Sequence, residues 1–168
     1  VPIQFSNNIE DLIKELEKVE CGGGNDDAED WVGGLNCALY DLEWRKNSRK
    51  LIVWISDSNA HGKKFCGFDN HNEEEIKLEK LIQQVAEKKI TFFGINIIRD
   101  YDKEGCNRTL NEMKKIYEQF NGPAFIIKEC KRIELNDAGF IEEWPDFTGR
   151  SLCTLSKTIG EITRFFDP

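Results

Sequence analysis

Two long apolar runs constrain the fold of this sequence more than any other feature. Residues 51–56 (LIVWIS) and 90–98 (ITFFGINII) are apolar at nearly every position, which is typical of strands buried on both faces. Between them, residues 73–88 carry Leu78, Leu81, Ile82 and Val85 at the spacing of one helix face. Strands of this kind that alternate with helices predict an α/β fold, with a mostly parallel sheet and helices on both faces.

The rest of the chain continues the alternation of helices and strands. The glycine pair Gly33-Gly34 lies inside a predicted helix, where we interpret it as a place where the helix approaches the sheet closely. The remaining predicted elements are a short strand over residues 1–5, helices over 9–21, 28–44, 109–120 and 151–166, and a strand over 124–127.

Charge and composition exclude several functional classes. The 168 residues carry a formal net charge of −8, which argues against a nucleic-acid-binding protein. No apolar stretch approaches the roughly 20 residues of a membrane-spanning helix. The six cysteines form no C-x-x-C pair, which favours reduced thiols in a cytoplasmic protein over a secreted, disulfide-bonded one. Because the chain begins at Val1, with no initiator Met or signal peptide, we expect it to be part of a longer protein.

A glycine triplet followed by acidic residues is the main candidate for a functional loop. Gly22, Gly23 and Gly24 suit a tight turn, and Asp26 and Glu29 come shortly after them. A further carboxylate, Asp57, follows the first buried strand directly, where open α/β sheets place their ligands. Carboxylate oxygens are the ligands of hard cations, so these loops predict an anionic site at one edge of the sheet.

Several short motifs, in this order, resemble a von Willebrand factor A-type domain. The branch they resemble most occurs beside alpha-type protein kinases. The resemblance covers roughly residues 1–130, and no single motif is specific by itself. The motifs are Gly22-Gly23-Gly24, Glu29-Asp30, Gly33-Gly34-Leu35, Leu42-Glu43-Trp44, and Asp57 with His61-Gly62.

The resemblance implies a metal-ion-dependent adhesion site. It places Asp57 in the third metal-binding loop and Glu29, or alternatively Asp26, in the second. Mg²⁺ is the implied ion, with Ca²⁺ or Mn²⁺ as alternatives. The D-x-S-x-S motif of the first loop is absent, so the ligand set is incomplete and a degenerate site would hold no cofactor. The implied partner-binding loops contain Gly22, Gly23, Gly24, Asn25, Ser58 and His61.

The resemblance also implies a three-layer, Rossmann-like sheet with strand order 3-2-1-4-5-6. Residues 1–5 would be the third strand and residues 51–56 the fourth, so the first two strands are absent from this sequence. Without these two strands, a gap with unpaired backbone groups would separate residues 1–5 from residues 51–56 in the sheet. We therefore expect a single domain over residues 1–168 that is partial at its N-terminus and is completed by an upstream segment.

Three functions remain open. The first is a non-enzymatic protein-interaction domain that binds a protein partner at residues 22–30 and 57–71, with Mg²⁺ at the contact. The second is a metal-independent regulatory or substrate-recruiting domain of a larger kinase or assembly. The third is a metal-dependent hydrolase on a Rossmann-like sheet, with zinc held by His61, Cys66 and His71 together with Asp57 or Asp69.

Overall fold

A computed structural model describes residues 3–19, 26–98 and 104–131. The predicted helix over residues 151–166 and the triplet Gly22, Gly23 and Gly24 lie outside these ranges, as does Asn25. The described helices are α1 (Ile9–Leu16), α2 (Trp31–Asn36, continued by a π-helical turn over Cys37–Asp41), α3 (Asn72–Glu87) and α4 (Asn107–Gln119). The described strands are β1 (Lys50–Ser56), β2 (Ile90–Ile98) and β3 (Phe125–Lys131).

The three described strands form one parallel sheet in the order β1-β2-β3. Lys50 pairs with Ile90 and Phe92 pairs with Phe125, so the carboxyl ends of the strands share one edge of the sheet. Each pair of neighbouring strands is connected through a helix, α3 or α4. The prediction of an α/β fold with a parallel sheet is therefore confirmed.

The main core lies between one face of the sheet and helices α2, α3 and α4. The four residues predicted to face inward from α3 (Leu78, Leu81, Ile82 and Val85) are all buried there. Aromatic rings continue the core across the sheet. The ring centroids of Trp54 and Phe92 lie 6.3 Å apart, and the Phe92 ring stacks on the Phe125 ring with a centroid distance of 4.6 Å. Since neighbouring residues of a strand face opposite sides, a second, smaller cluster around Phe93 and Ile95 lies on the other face.

The close approach predicted for the glycine pair is confirmed at Gly34. A Cβ atom at this position would lie 2.6 Å from Cη2 of the Trp54 ring on β1. Its neighbour Gly33 has a different role, since its backbone N–H donates to the Asp30 carboxylate that caps α2. The glycines therefore allow α2 to begin close to the sheet, next to the end of β1.

The N-terminal segment differs from its prediction. Residues 3–5 do not form a strand, and the segment lies against the turn that follows α2. The Gln4 side chain donates to the backbone oxygen of Asp41 at 2.7 Å, and the Phe5 ring contacts the Trp44 ring edge-on at 5.1 Å. These side-chain contacts take the place of a strand pairing. Within the described sheet β1, β2 and β3 are adjacent. The gap was predicted on the other side of β1, towards residues 1–5, and the pairing of these three strands does not test it.

Two helix boundaries also differ. The helix predicted over 28–44 begins at Trp31, because Glu29 pairs with another loop and Asp30 becomes the cap. The first helix ends at Leu16 and has no buried residue. None of the described helices has the length and apolar character needed to cross a membrane.

Candidate functional site

The segment before α2 and the loop after β1 lie side by side. The backbone N–H of Glu29 donates to the backbone oxygen of Asn59 at 2.8 Å, and Glu29 forms an isolated parallel bridge with Ala60. Trp31 adds a hydrogen bond from its indole nitrogen to the backbone oxygen of Ser58 at 3.2 Å. We call residues 26–30 and 57–71 together the loop face, which lies at the carboxyl end of β1.

Hydrogen bonds from the start of α4 fix the first part of this loop. The Asn59 side chain accepts from the backbone N–H and the hydroxyl of Thr109 at 3.0 and 2.8 Å, and it donates to the backbone oxygen of Gly105 at 3.0 Å. The Thr109 hydroxyl oxygen in turn accepts from the backbone N–H of Ala60 at 3.0 Å. Thr109 is fully buried, so this part of the loop is held in one conformation.

Contacts with α3 and α4 fix the second part of the loop. Glu75 of α3 accepts from the backbone N–H of Lys64 at 2.8 Å, and Arg108 of α4 donates to the backbone oxygens of Lys64 and Lys63 at 2.9 and 3.1 Å. Gly62 has a φ of +106°, and a Cβ there would lie 2.6 Å from the Cβ of Glu75. Glycine is thus required where the loop turns against α3.

The centre of the loop is a buried carboxylate between two imidazole rings. Asp69 is 8% exposed, and its Oδ1 accepts from the backbone N–H groups of Gly62 and His71 at 2.9 and 2.8 Å. Its Oδ2 lies 2.9 Å from Nδ1 of His61 and 3.0 Å from Nδ1 of His71. The two rings are edge-on to one another, with their centroids 4.6 Å apart.

The electrostatics of this cluster favour an ionised Asp69. Burial by itself raises the pKa of this carboxyl, but the hydrogen bonds from His61, Gly62 and His71 outweigh burial and hold the pKa well below its usual range. The hydrogen bond to Asp69 and its negative charge raise the pKa of His71, and the charges of Asp26 and Glu74 act in the same direction. The surroundings of His71 are therefore negative.

The structure places the predicted metal ligands at this face without assembling them into a cluster. Asp26 and Glu29 are exposed and Asp57 is half-buried. Among the described residues, one group of three or more potential ligands has its atoms within 4.8 Å of each other, and its members are His61, Asp69 and His71. A metal-binding role for Asp57, Glu29 and Asp26 stays a prediction.

The other predicted site residues, Ser58, His61 and Cys66, differ in their burial and contacts. Ser58 is buried with its backbone oxygen bonded to Trp31, and His61 is half-buried. Cys66, an alternative zinc ligand in the sequence analysis, is buried and is not in the ligand group. Burial raises the pKa of its thiol, so Cys66 behaves as a core residue.

Sequence reasoning did not identify Phe68. Its side chain is 75% exposed on the loop face, next to the buried Asp69. Single exposed aromatic residues are common on protein surfaces. Phe68, however, lies on a loop that is fixed by many hydrogen bonds, which makes it a candidate contact for a partner. The sequence feature that could have identified Phe68 is its place as an aromatic residue in a segment that is rich in Gly, Asn and Lys and has no apolar periodicity.

Comparison with known proteins gives one partial similarity. The chain is similar to the alpha-protein kinase vwkA of Dictyostelium discoideum, with 26% identity over 94 residues. The matched region is 54% of this chain and 15% of that kinase, so the chain corresponds to a small part of a much longer protein. No protein-family profile matches the chain, and no solved structure matches it.

Proposed function

We propose that this chain is a non-enzymatic, protein-interaction domain of the von Willebrand factor A type, within a larger protein. The loop face would bind a protein partner. The observation that carries this proposal is the pairing of Glu29 with Asn59 and Ala60, which joins two loops into one surface at the carboxyl end of β1. In open α/β sheets this edge is where ligands bind.

The rigidity of the loop face supports a binding role. Thr109 and Glu75 accept hydrogen bonds from its backbone N–H groups and Arg108 donates to a backbone oxygen, so a partner would meet a surface that is already ordered. Binding to such a surface costs less conformational entropy than binding to a loop that must first become ordered. Phe68 would supply an aromatic anchor at this surface.

The sheet order supports the finer family assignment. Strands β1, β2 and β3 would be the fourth, fifth and sixth strands of a Rossmann-like, three-layer sheet, because they are parallel and adjacent in this order. The first strands would then pair with the side of β1 that has no neighbouring strand among the described residues, and they would come from a segment upstream of this chain. The partial similarity to vwkA is consistent with a domain inside a longer protein.

Two versions of this function differ in their need for metal. In the first, Mg²⁺ at Asp57, with Glu29 or Asp26, completes the contact with the partner once an upstream D-x-S-x-S loop is present. In the second, the loop face recruits a regulator or substrate to an attached kinase without metal, and the kinase name of the relative favours this version.

The test compares partners of the full-length protein before and after changes at the loop face. We expect Phe68→Ser and Asp57→Ala to remove the same set of co-purified proteins while leaving the unfolding midpoint nearly unchanged. Ile13→Ser is the matched control, because Ile13 is an exposed apolar residue on α1, outside the loop face. An unchanged partner set with both loop variants would contradict the proposal.

A chelator separates the two versions of the function. If EDTA releases the partners that Phe68→Ser removes, the contact depends on metal. If EDTA leaves these partners bound, the domain acts as a metal-independent recruiting surface.

A further inference from the structure

We propose that His61, Asp69 and His71 form a binding site for one divalent transition-metal ion, with Zn²⁺ as the natural occupant. This site is different from the Mg²⁺ site expected at Asp57, Glu29 and Asp26, because two of its three ligands are imidazole nitrogens. Imidazole favours Zn²⁺, Cu²⁺, Fe²⁺ and Ni²⁺ over Mg²⁺ and Ca²⁺, which bind oxygen ligands. The proposal does not depend on the partner-binding function.

The geometry of the three ligand atoms is close to what zinc requires. Zinc–nitrogen and zinc–oxygen bonds are about 2.0–2.2 Å long, so two ligands of a tetrahedral site lie about 3.3–3.5 Å apart. The Nδ1 atoms of His61 and His71 lie 2.9 and 3.0 Å from Oδ2 of Asp69. Outward movement by a few tenths of an ångström would bring both nitrogen–oxygen pairs to this spacing, and all three ligand atoms already lie within 4.8 Å of one another.

Asp69 is already oriented for this role. Its Oδ1 is held by the backbone N–H groups of Gly62 and His71. Its Oδ2 faces both rings, and Nδ1 of His71 lies 3.0 Å from each of the two carboxylate oxygens. Hydrogen bonds that orient a ligating carboxylate are a usual part of metal sites. On binding, the metal takes the position between Nδ1 of each ring and Oδ2. Each ligating imidazole is then neutral with its hydrogen on Nε2, and a ring that was protonated on both nitrogens releases one proton to the solvent.

Charge and composition support the same conclusion. Asp69, Asp26 and Glu74 surround His71 with negative charge, which favours a bound cation. The sequence contains two histidines in 168 residues, and both contact one buried carboxylate. Three protein ligands with a solvent-accessible side at His71 leave a fourth position for water.

The experiment uses the full 168-residue chain without a histidine tag. Zn²⁺ binding is measured by isothermal titration calorimetry, and Co²⁺ binding is followed by its visible absorption. We expect one metal ion per chain and the intense bands of tetrahedral Co²⁺, without the near-ultraviolet band of a cobalt–thiolate bond.

Variants identify the ligands. His71→Gln should weaken Zn²⁺ binding by more than about 100-fold, because losing even an outer partner of a metal ligand costs about 10- to 100-fold. Asp69→Asn is the second ligand variant. His71 is exposed, so His71→Gln keeps the fold even where Asp69→Asn disrupts it. Asp11→Asn, at an exposed position of α1 outside the loop face, is the matched control and should leave Zn²⁺ affinity unchanged.

Three results would overturn the proposal: no Zn²⁺ binding in the micromolar range, equal affinity of His71→Gln and the unchanged chain, or a cobalt–thiolate band that places the metal on cysteines. Each of them leaves the partner-binding proposal standing, because no partner takes part in the measurement.

Discussion

The Oδ1 atom of Asp69 accepts a hydrogen bond from the backbone N–H of His71 at 2.8 Å, two residues further along the chain. This bond closes a turn directly before α3, because His71 is the cap residue of that helix. The same oxygen accepts from the backbone N–H of Gly62. A single carboxylate thus joins the beginning and the end of the loop between β1 and α3.

Removing this carboxylate should destabilise the fold. Asp69→Ala leaves the buried N–H of Gly62 without its acceptor, which costs about 1–3 kcal/mol in the free energy of unfolding. Asp69→Asn keeps an acceptor oxygen and should cost less. Urea unfolding measures both variants, with the exposed Asp27→Ala as the control. Equal stability of Asp69→Ala and Asp27→Ala would show that the carboxylate does not hold the loop.

Adding a methyl group at Gly34 should destabilise the contact between α2 and β1. The new Cβ would collide with the Trp54 ring, and overpacking of this kind costs about 1–3 kcal/mol, although alanine is otherwise favoured over glycine in helices. Trp54→Phe removes the colliding ring atoms. In a double-mutant cycle followed by thermal unfolding, we expect Gly34→Ala to cost less when Trp54→Phe is present. Additive effects would argue against the close contact.

Tyr117 should make stability depend on alkaline pH. Its hydroxyl donates to the backbone oxygen of Ile90 at 2.7 Å, and burial raises the pKa of this phenol above the ordinary value of 10.0. A raised pKa in the folded state means that the contribution is complete below the ordinary pKa and is lost as pH rises through the folded one.

The measurement compares the unchanged chain with Tyr117→Phe in urea between neutral pH and about pH 11. Near neutral pH the variant should be less stable by about 1 kcal/mol, the typical net value of one hydrogen bond. Above about pH 10, the ordinary tyrosine pKa, the difference should shrink. A difference that does not change with pH would mean that the phenol is not buried as described.

Cys66 should react with alkylating reagents far more slowly than Cys37. Burial covers the Cys66 side chain and raises the pKa of its thiol, so little reactive thiolate forms. Cys37 is partly exposed, although a hydrogen bond to Asp41 also raises the pKa of its thiol. Peptide mapping after brief treatment with iodoacetamide should find Cys37 modified before Cys66. In urea the two rates should become similar; fast modification of Cys66 in the native protein would place it at the surface.

The sequence predicted the parts of the fold that depend on local pattern. Strands β1 and β2 follow from continuous apolar runs, and α3 follows from the helical spacing of Leu78, Leu81, Ile82 and Val85. The strand predicted over residues 1–5 is wrong for the described residues 3–5, because alternation over so few residues is weak and the Gln4 side chain bonds to a turn far along the chain.

The candidate site was only partly accessible to such reasoning. The position of Asp57 after a buried strand pointed to the carboxyl edge of the sheet, and there the structure joins the described part of the first predicted loop to the second through Glu29 and Ala60. The sequence offered Asp57 and Asp69 as alternative partners of His61 and His71. It could not choose between them, because the choice depends on where the loop returns to the start of α3.

The order of the sheet has a practical consequence for work with this chain. Within the described residues β1 pairs on one side only, with β2, and its Val53 and Ile55 side chains are exposed. Uncovered strand edges with apolar side chains act as templates for aggregation. Recombinant samples should therefore self-associate as their concentration rises, and adding upstream residues that cover this edge should keep them monodisperse.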